Sequence, residues 1–400
     1  MNTQLRGTDE VMLPAGFRAA GVRAGIKRRD VKDMGLIVSD VPATVAGVFT
    51  TNQVSAAPVK LCRNRLKGGT ARAVIANSGN ATACTGAGGM ADAERMAHVT
   101  AETLAIPEGE VFVCSTGHIG GRLPMDVVEP GIRNAADHLS DSGGKAFAEA
   151  IMTTDIRAKY WTVKMTLDGK PVTLSGVAKG AGMIEPNMAT MLAFIMTDAA
   201  VEREALQEAL SAAVDQSFNR ITVDGDQSTN DTVLLMANGR AGNATLDRRH
   251  SAWPDFFAAL NEVALQLALK IVDDGEGANK RIAIVVEGAA NDADADQAAR
   301  AVANSFLVKT SWAGVYPNWG RIMDALGYSK ARVDEDQVDI WYDTHHATHN
   351  GVATDTPLAT LKAVIEQEAF TIRINLNLGE GRAVVYTCEI TEEYVRINVT

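Results

Sequence analysis

Cysteine and aromatic residues are scarce in this sequence. Four cysteines occur among 400 residues, they are widely spaced, and no two form a CxxC pair. This count and spacing disfavour a disulfide framework and a cysteine-based zinc site, so reduced, buried thiols are expected. Aromatic residues make up 5% of the chain, and they are not interleaved with basic residues as on surfaces that bind nucleic acid.

Positive charge is also in deficit, since the formal net charge is −11 at pH 7. Long-range electrostatics therefore disfavour nucleic acid and anionic membrane surfaces as partners. Residues 1–10 lack the apolar core of a secretory signal. No apolar run approaches the roughly 20 residues needed to span a bilayer. We therefore expect a cytoplasmic protein with no nucleic-acid partner and no membrane association.

The composition that remains is that of an ordinary globular protein, with 46% hydrophobic and 22% charged residues. Strand and helix patterns are intermixed, without a regular βαβ repeat or a Pro/Ser-rich linker. We predict an α+β fold of mainly antiparallel sheets layered with helices. Helices are predicted over 91–105, 144–152, 202–217, 253–272, 295–309 and 357–368, and strands over 73–76, 110–114, 161–167, 172–177, 232–237, 281–287, 338–342, 370–377 and 383–390.

A Gly-rich, Pro-containing loop runs from Lys179 into Thr190, at the start of an apolar run. Glycine permits backbone conformations closed to other residues, so this loop can hold the Ala189 carbonyl against the Thr190 hydroxyl. Attack by that hydroxyl converts the peptide bond into an ester, which water opens. The freed α-amine, with a pKa of about 8, then serves as base for its own hydroxyl. The alternative is an ordinary hydroxyl-bearing strand residue.

Three further positions carry candidate chemistry. Ser115-Thr116-Gly117 is predicted to end a strand in a turn, either an ordinary one or one whose donors face a developing oxyanion. Lys179 is the only charged residue between 171 and 184, and it can bind a carboxylate or depress the pKa of a nearby amine. Glu276 follows a long predicted helix. Its carboxylate is either a charge at the helix end or a ligand for a substrate ammonium group.

Two apparent metal motifs are rejected. The stretch 223–232 resembles a calcium loop but lacks the acidic residue at loop position twelve. His345, His346 and His349 have the look of a metal cluster, but the only nearby carboxylate at useful spacing is Asp343. We therefore predict a surface loop at these histidines, and no metal site.

Together these stretches resemble one family, the ArgJ-type glutamate/ornithine N-acetyltransferases of arginine biosynthesis, which are self-cleaving threonine enzymes. The resemblance spans nearly the full length, and the block around Thr190 is its most specific part. The matching stretches are 21–27, 48–52, 77–81, 115–117, 153–155, 179–190, 224–226, 228–231, 274–277, 317–321 and 393–398.

The resemblance implies a layered αββα sandwich, as in ArgJ and DmpA-type enzymes. It also implies a precursor that is cut between Ala189 and Thr190. The products would be an α chain, residues 1–189, and a β chain, residues 190–400, which stay together as parts of one intertwined fold. Such chains typically assemble as α2β2.

The implied reaction is a two-step exchange without a cofactor. Thr190 takes the acetyl group from N-acetylornithine as an ester, and the group then passes to glutamate. Some members also accept acetyl-CoA, so its use as a co-substrate stays open. The implied site residues are Thr190 as nucleophile, Thr116 and Gly117 as oxyanion hole, and Thr153, Lys179, Thr190, Glu276 and Asn398 as substrate contacts.

Two other functions are compatible with the same residues. A self-cleaved threonine enzyme that uses water as acceptor would be an amidohydrolase or aminopeptidase acting on a different amino-acid amide. A small-molecule binding protein on the same scaffold would not be cleaved at all.

Overall fold

The structure, a computed structural model, describes residues 6–185 and 191–399. Contacts between residues divide the chain into two compact units. Unit 1 takes its described residues from Met1–Gly180, Pro186–Asn219 and Gln227–Ile271, and unit 2 from Ala181–Glu185, Arg220–Asp226 and Val272–Thr400. Each unit therefore contains chain from both sides of residue 190.

Unit 1 is built on a sheet with nine described strands, in the order β1-β6-β7-β8-β9-β3-β4-β5, with β2 beside β3. Only the β4–β5 and β8–β9 neighbours run parallel, and the other pairs are antiparallel. The strands are β1 Arg6–Thr8, β2 Phe17–Val22, β3 Met34–Phe49, β4 Thr70–Asn80, β5 Val111–His118, β6 Lys159–Leu167, β7 Lys170–Lys179, β8 Leu192–Thr197 and β9 Thr232–Ala237.

Helices cover both faces of this sheet because its strands are apolar on both sides. Successive β4 side chains point to opposite faces. Val74 packs in one core cluster with Phe147 of α4, and Ile75 packs in the other with Met96 of α2. The α-helices of this part of the chain are α1 Ala57–Arg65, α2 Gly86–Leu104, α3 Met125–Asp137, α4 Gly144–Ala150, α5 Arg203–Gln216 and α6 Trp253–Asp273.

The hairpin β6–β7 leads the chain to Lys179. Its two-residue turn, Asp168-Gly169, has φ values of 51° and 73°, as a type I′ turn requires. β7 then pairs antiparallel with β8, from Lys179 opposite Leu192 to Leu174 opposite Thr197. The strands that precede and follow residues 186–190 are thus neighbours in one sheet.

Unit 2 is built on a second sheet, in the order β13-β12-β11-β14-β10-β15, with only β10 and β14 parallel. Its core includes Trp312 and Tyr342, both fully buried. The strands are β10 Arg281–Ala289, β11 Asp339–Tyr342, β12 His345–His349, β13 Val352–Ala353, β14 Ala369–Asn375 and β15 Gly381–Cys388. The helices are α7 Asp292–Asn304, α8 Phe306–Ala313, α9 Trp319–Tyr328, α10 Leu358–Ile365 and α11 Glu392–Ile397.

The predicted fold class is confirmed: sheets of mainly antiparallel strands are covered by helices. Among the described residues, no helix has the length and apolar character needed to cross a membrane.

Three local predictions were wrong. Residues 115–117 were predicted to form a turn, but β5 continues to His118 because it pairs there with β4, which extends to Asn80. The helix predicted over 295–309 breaks at Ser305, whose side chain accepts a hydrogen bond from the Val308 amide and caps a new helix. The histidines at 345–349 form strand β12 instead of a loop.

Candidate active site

The predicted cleavage pair, Ala189 and Thr190, lies outside the described residues, but the chain that follows it is described. The Met191 amide donates to Asp231 Oδ1 at 2.8 Å, and the Met191 carbonyl accepts from the Thr232 amide at 3.1 Å. Asp231 is fully buried. Burial raises the pKa of its carboxyl well above the usual value, against the hydrogen bond from Met191 and the charge of Lys179. The residue after Thr190 is thus held on both sides as it enters β8.

Thr116 and Gly117 lie at the end of β5, beside the end of β4. Gly117 is opposite Gly79 and has a φ of 132°. A Cβ atom at Gly117 would lie 2.4 Å from the Gly79 carbonyl carbon. Only glycine can occupy this position without displacing β4.

Polar side chains secure the backbone next to Thr116. The Ser115 hydroxyl donates to Asn77 Oδ1 at 2.6 Å. Asn230 Nδ2 donates to the carbonyl oxygens of Ser115, at 2.8 Å, and of Ala81, at 2.6 Å. All of these groups are buried, so each bond replaces one lost to water. The position of Thr116 is therefore fixed from β4 and from the loop before β9.

Lys179, at the end of β7, connects the predicted residues of unit 1. It is 2% exposed, and its Nζ donates to Thr153 Oγ1 at 2.8 Å and to Thr116 Oγ1 at 3.3 Å. Because the Thr116 oxygen accepts this bond, its own hydroxyl hydrogen can point elsewhere. Thr116 can therefore act as a donor to a developing negative charge.

Asp155 organises this group, although sequence reasoning assigned it no role. Its carboxylate accepts from the Gly180 amide at 2.6 Å, from Lys159 Nζ at 2.7 Å and from the Thr153 amide at 2.8 Å. It also lies 3.9 Å from Lys179 Nζ. Burial alone would raise the pKa of Asp155, but the nearby charges of Lys179 and Lys159 outweigh it and hold that pKa well below its usual value.

Several lysines lie in or near this group. Lys159 and Lys179 are both nearly fully buried, and the Asp155 carboxylate lies 2.7 Å from Lys159 Nζ and 3.9 Å from Lys179 Nζ. Burial, aided by the charge of Lys179, lowers the pKa of the nearby Lys27 to about 8. The buried carboxylate of Asp33 is occupied by backbone amides, including that of Lys27 at 2.9 Å. This part of unit 1 is therefore suited to bind an anion such as a carboxylate.

The two predicted residues of unit 2 also meet. Asn398 Nδ2 donates to Glu276 Oε2 at 2.6 Å, and the Glu276 amide donates to the Ala181 carbonyl at 3.0 Å. Glu276 is 7% exposed. A Cβ atom at Gly182 would lie 2.4 Å from its carboxyl carbon, so glycine at 182 leaves room for the carboxylate. A buried carboxylate that has one amide partner among the described residues is suited to bind a cation.

Asp224 and Tyr394 hold the segment next to Glu276, and sequence reasoning missed them too. Asp224 accepts from the amides of Met183, at 2.6 Å, and Ile184, at 2.8 Å. The Tyr394 hydroxyl donates to Asp224 Oδ2 at 3.2 Å. Burial first, and then the charge of Asp224, raises the pKa of Tyr394. Asp224 lies in a stretch that resembles the family, but only its contacts give it this role.

The structure thus brings the predicted residues together in two groups. Unit 1 contains Thr116, Gly117, Thr153 and Lys179, and unit 2 contains Glu276 and Asn398. One described group of three potential metal ligands occurs elsewhere in unit 2, Asp339 with His346 and His349.

The protein is of the α+β class, with mainly antiparallel sheets covered by helices. A buried group of lysine, threonine and aspartate side chains at the strand ends is suited to bind an anionic small molecule. The ArgJ family model matches residues 18–400. The chain belongs to the ArgJ family, and the resemblance predicted from its sequence is confirmed.

Individual relatives agree with this assignment. The arginine biosynthesis bifunctional protein ArgJ of Geobacter sulfurreducens is 49% identical over 384 residues, which cover 96% of this chain and 98% of that protein. Its counterpart in Symbiobacterium thermophilum is 49% identical over 390 residues, 97% of each chain. A solved structure of ArgJ from Bacillus halodurans is 42% identical with a TM-score of 0.50, and the match covers 52% of this chain and 97% of that one.

Proposed function

We propose that this chain is an ornithine/glutamate N-acetyltransferase of arginine biosynthesis, which moves an acetyl group from N-acetylornithine to glutamate. Membership of the ArgJ family over residues 18–400 supports the activity. The structural observation that carries the proposal is the buried Lys179, bonded to both Thr116 and Thr153. Lys179 thus places a cation for the substrate carboxylate next to Thr116, a hydrogen-bond donor for the oxyanion.

The enzyme is made by self-cleavage between Ala189 and Thr190. The Thr190 hydroxyl attacks the Ala189 carbonyl, the peptide becomes an ester, and water releases an α chain, 1–189, and a β chain, 190–400. Pairing of β7 with β8 supports continued association after the cut, because ladder bonds join strands on either side of it. The solved ArgJ chain from Bacillus halodurans, which is about half as long as this chain, is consistent with cleavage. The two chains form an α2β2 assembly.

Catalysis then uses the new N-terminus. The α-amine of Thr190 takes the hydroxyl proton as the oxygen attacks the acetyl carbonyl of N-acetylornithine. Thr116, through its hydroxyl, and Gly117, through its amide, donate to the oxyanion. Ornithine leaves with a proton from the Thr190 ammonium group, and an acetyl ester remains. The amine of glutamate attacks this ester, and a proton passes from it through the Thr190 α-amine to the leaving oxygen. N-acetylglutamate forms and the Thr190 hydroxyl is regenerated.

The substrate is held by opposite charges. Lys179 and Thr153 bind the carboxylate, with Lys159 as a second buried cation beside Asp155. Glu276, oriented by Asn398, binds the side-chain ammonium of the ornithine moiety. The proposed transfer needs no cofactor.

Two experiments test this function. With N-acetylornithine alone, the purified protein is expected to release no more than one ornithine per acetylated Thr190. Continued release should require glutamate, with N-acetylglutamate formed in equal amount. Equal ornithine release without glutamate would instead identify the amidohydrolase alternative. On a denaturing gel two bands are expected, one beginning at Thr190. Thr190→Ala should give one inactive band, and the exposed control Thr310→Ala should give two. A single wild-type band would refute cleavage.

A further inference from the structure

Three side chains with metal-binding atoms meet on the β11–β12 hairpin of unit 2. One ligand atom from each of Asp339, His346 and His349 lies within 4.8 Å of the others. Asp339 Oδ1 is 2.8 Å from His349 Nδ1 and 3.8 Å from His346 Nε2. Two imidazole nitrogens and one carboxylate oxygen are ligands that divalent first-row transition metals prefer. None of them takes part in the proposed acetyl transfer.

A β-bulge places the two histidines on one face. Ile340 pairs with Thr348, but Trp341 pairs with His346, so Ala347 is the extra residue on β12. In a regular strand, side chains three positions apart point to opposite faces. The extra residue reverses the alternation, and His346 joins His349 beside Asp339. The sequence spacing alone could not show this, and Asp343, the carboxylate closest in sequence, is not the partner.

Neighbouring groups hold the three ligands in place. The Asn350 amide donates to Asp339 Oδ1 at 2.9 Å, and Asn377 Nδ2 donates to Oδ2 at 3.0 Å. The His346 ring stacks on Trp341, with 4.5 Å between centroids and 9° between planes. Such outer contacts orient the ligands in protein metal sites.

One buried nitrogen at this site lacks a hydrogen-bond partner. Among the described residues, His346 Nε2 is shielded from solvent and no group bonds to it. Asp339 Oδ1, at 3.8 Å, is too distant for a hydrogen bond. A buried polar atom without a partner destabilises the fold. Because this atom faces a carboxylate and a second imidazole, a cation would satisfy it.

We propose that Asp339, His346 and His349 form a binding site for one divalent first-row transition metal ion, with zinc as the reference ion. Ligand atoms that lie about 2.1 Å from one tetrahedral ion are about 3.4 Å apart. Because the three ligand atoms lie within 4.8 Å of one another, binding requires shifts of about 1.4 Å or less, within the reach of side-chain rotation. His349 exchanges its hydrogen bond with Asp339 for coordination through Nδ1. The ring proton moves by way of solvent from Nδ1 to Nε2, so the ligand is a neutral imidazole.

The test is a calorimetric titration of the full, untagged protein with zinc chloride. One zinc ion per chain is expected in the wild type. His346→Ala, His349→Ala and Asp339→Asn should each weaken binding by about tenfold or more, as the loss of a ligand does. The matched control is His345→Ala, since this histidine is exposed on the same strand but outside the group. It should bind zinc as the wild type does.

Cobalt(II) gives a second readout, because protein coordination produces visible absorption bands that the His346→Ala variant should lack. Circular dichroism checks that each variant is folded. Three results would overturn the proposal: no saturable zinc binding by the wild type, unchanged binding in folded His346→Ala and His349→Ala, or equal losses in His345→Ala, which indicates adventitious surface binding. Acetyl transfer should be equal in wild type and His346→Ala, so the outcome is independent of the proposed function.

Discussion

Asp155→Asn is the most informative perturbation of the unit 1 group. Asp155 is the partner of Lys159, at 2.7 Å, and lies 3.9 Å from Lys179, and all three side chains are almost fully buried. The substitution keeps the shape of the side chain but removes the negative charge that pairs with Lys159. Breaking a buried ion pair in this way costs about 3–5 kcal/mol, so we expect a loss of unfolding free energy in this range at neutral pH.

The loss should depend on pH with a definite sign. The pKa of Asp155 in the folded protein lies well below its usual value, since the charges of Lys179 and Lys159 outweigh burial. The carboxylate therefore stabilises the fold above the unfolded-state pKa of about 3.9. This contribution disappears as the pH falls through the folded-state pKa. The difference between wild type and Asp155→Asn should be full at neutral pH and shrink in acid.

The assay is urea unfolding followed by circular dichroism at neutral and acidic pH. The matched control is Asp40→Asn, because Asp40 pairs with Arg18 at 3.1 Å but both side chains are about two-fifths exposed. This variant should lose about 1 kcal/mol or less. Adding Lys159→Met to Asp155→Asn should recover part of the loss, since it removes the buried cation with which Asp155 pairs. A loss for Asp155→Asn no larger than for Asp40→Asn would refute the reasoning.

Two further substitutions test the proposed catalytic and substrate-binding groups. Gly117→Ala should lower kcat about 100-fold or more, the effect of a lost oxyanion donor, because the added Cβ would collide with β4. The control Gly120→Ala should retain most activity, since Gly120 also has a positive φ, 95°, but open space around a Cβ. Equal losses of kcat in the two variants would contradict the proposed role of Gly117. Asn398→Ala should raise KM for N-acetylornithine about tenfold with little change in kcat, because losing one charge-assisted hydrogen bond costs about 1.4 kcal/mol. Steady-state kinetics separate KM from kcat, and an unchanged KM would show that Asn398 is not part of the substrate site.

The elements that could be predicted from the sequence are those specified by local chemistry. The hairpin at Asp168-Gly169 can be predicted because aspartate and glycine tolerate the positive φ angles that its turn requires. The long helix Trp253–Asp273 can be predicted from its apolar periodicity. The prediction failed where a distant strand decided the outcome. Residues 115–117 look like a turn because they are polar and contain glycine, but β4 pairs with them and extends β5 to His118.

The candidate site divides in the same way. Lys179 could be selected because no other charge lies near it in the chain. Asp155 could not, since it reaches Lys179 through space and is one acidic residue among many in the sequence. Asp224 and Tyr394 are 170 positions apart, so no local pattern connects them.

The sequence by itself determined the family, the α+β class and the candidate threonine at the end of a Gly-rich loop, because these depend on residue order and local propensity. Tertiary structure alone decided the charge state and the neighbours of the site. The charges of Lys179 and Lys159, which outweigh burial, keep Asp155 ionised, and one extra residue in β12 turns His346 towards Asp339. The first depends on distances between side chains in the folded chain and the second on a strand-pairing register. Neither can be predicted from the spacing of residues along the sequence.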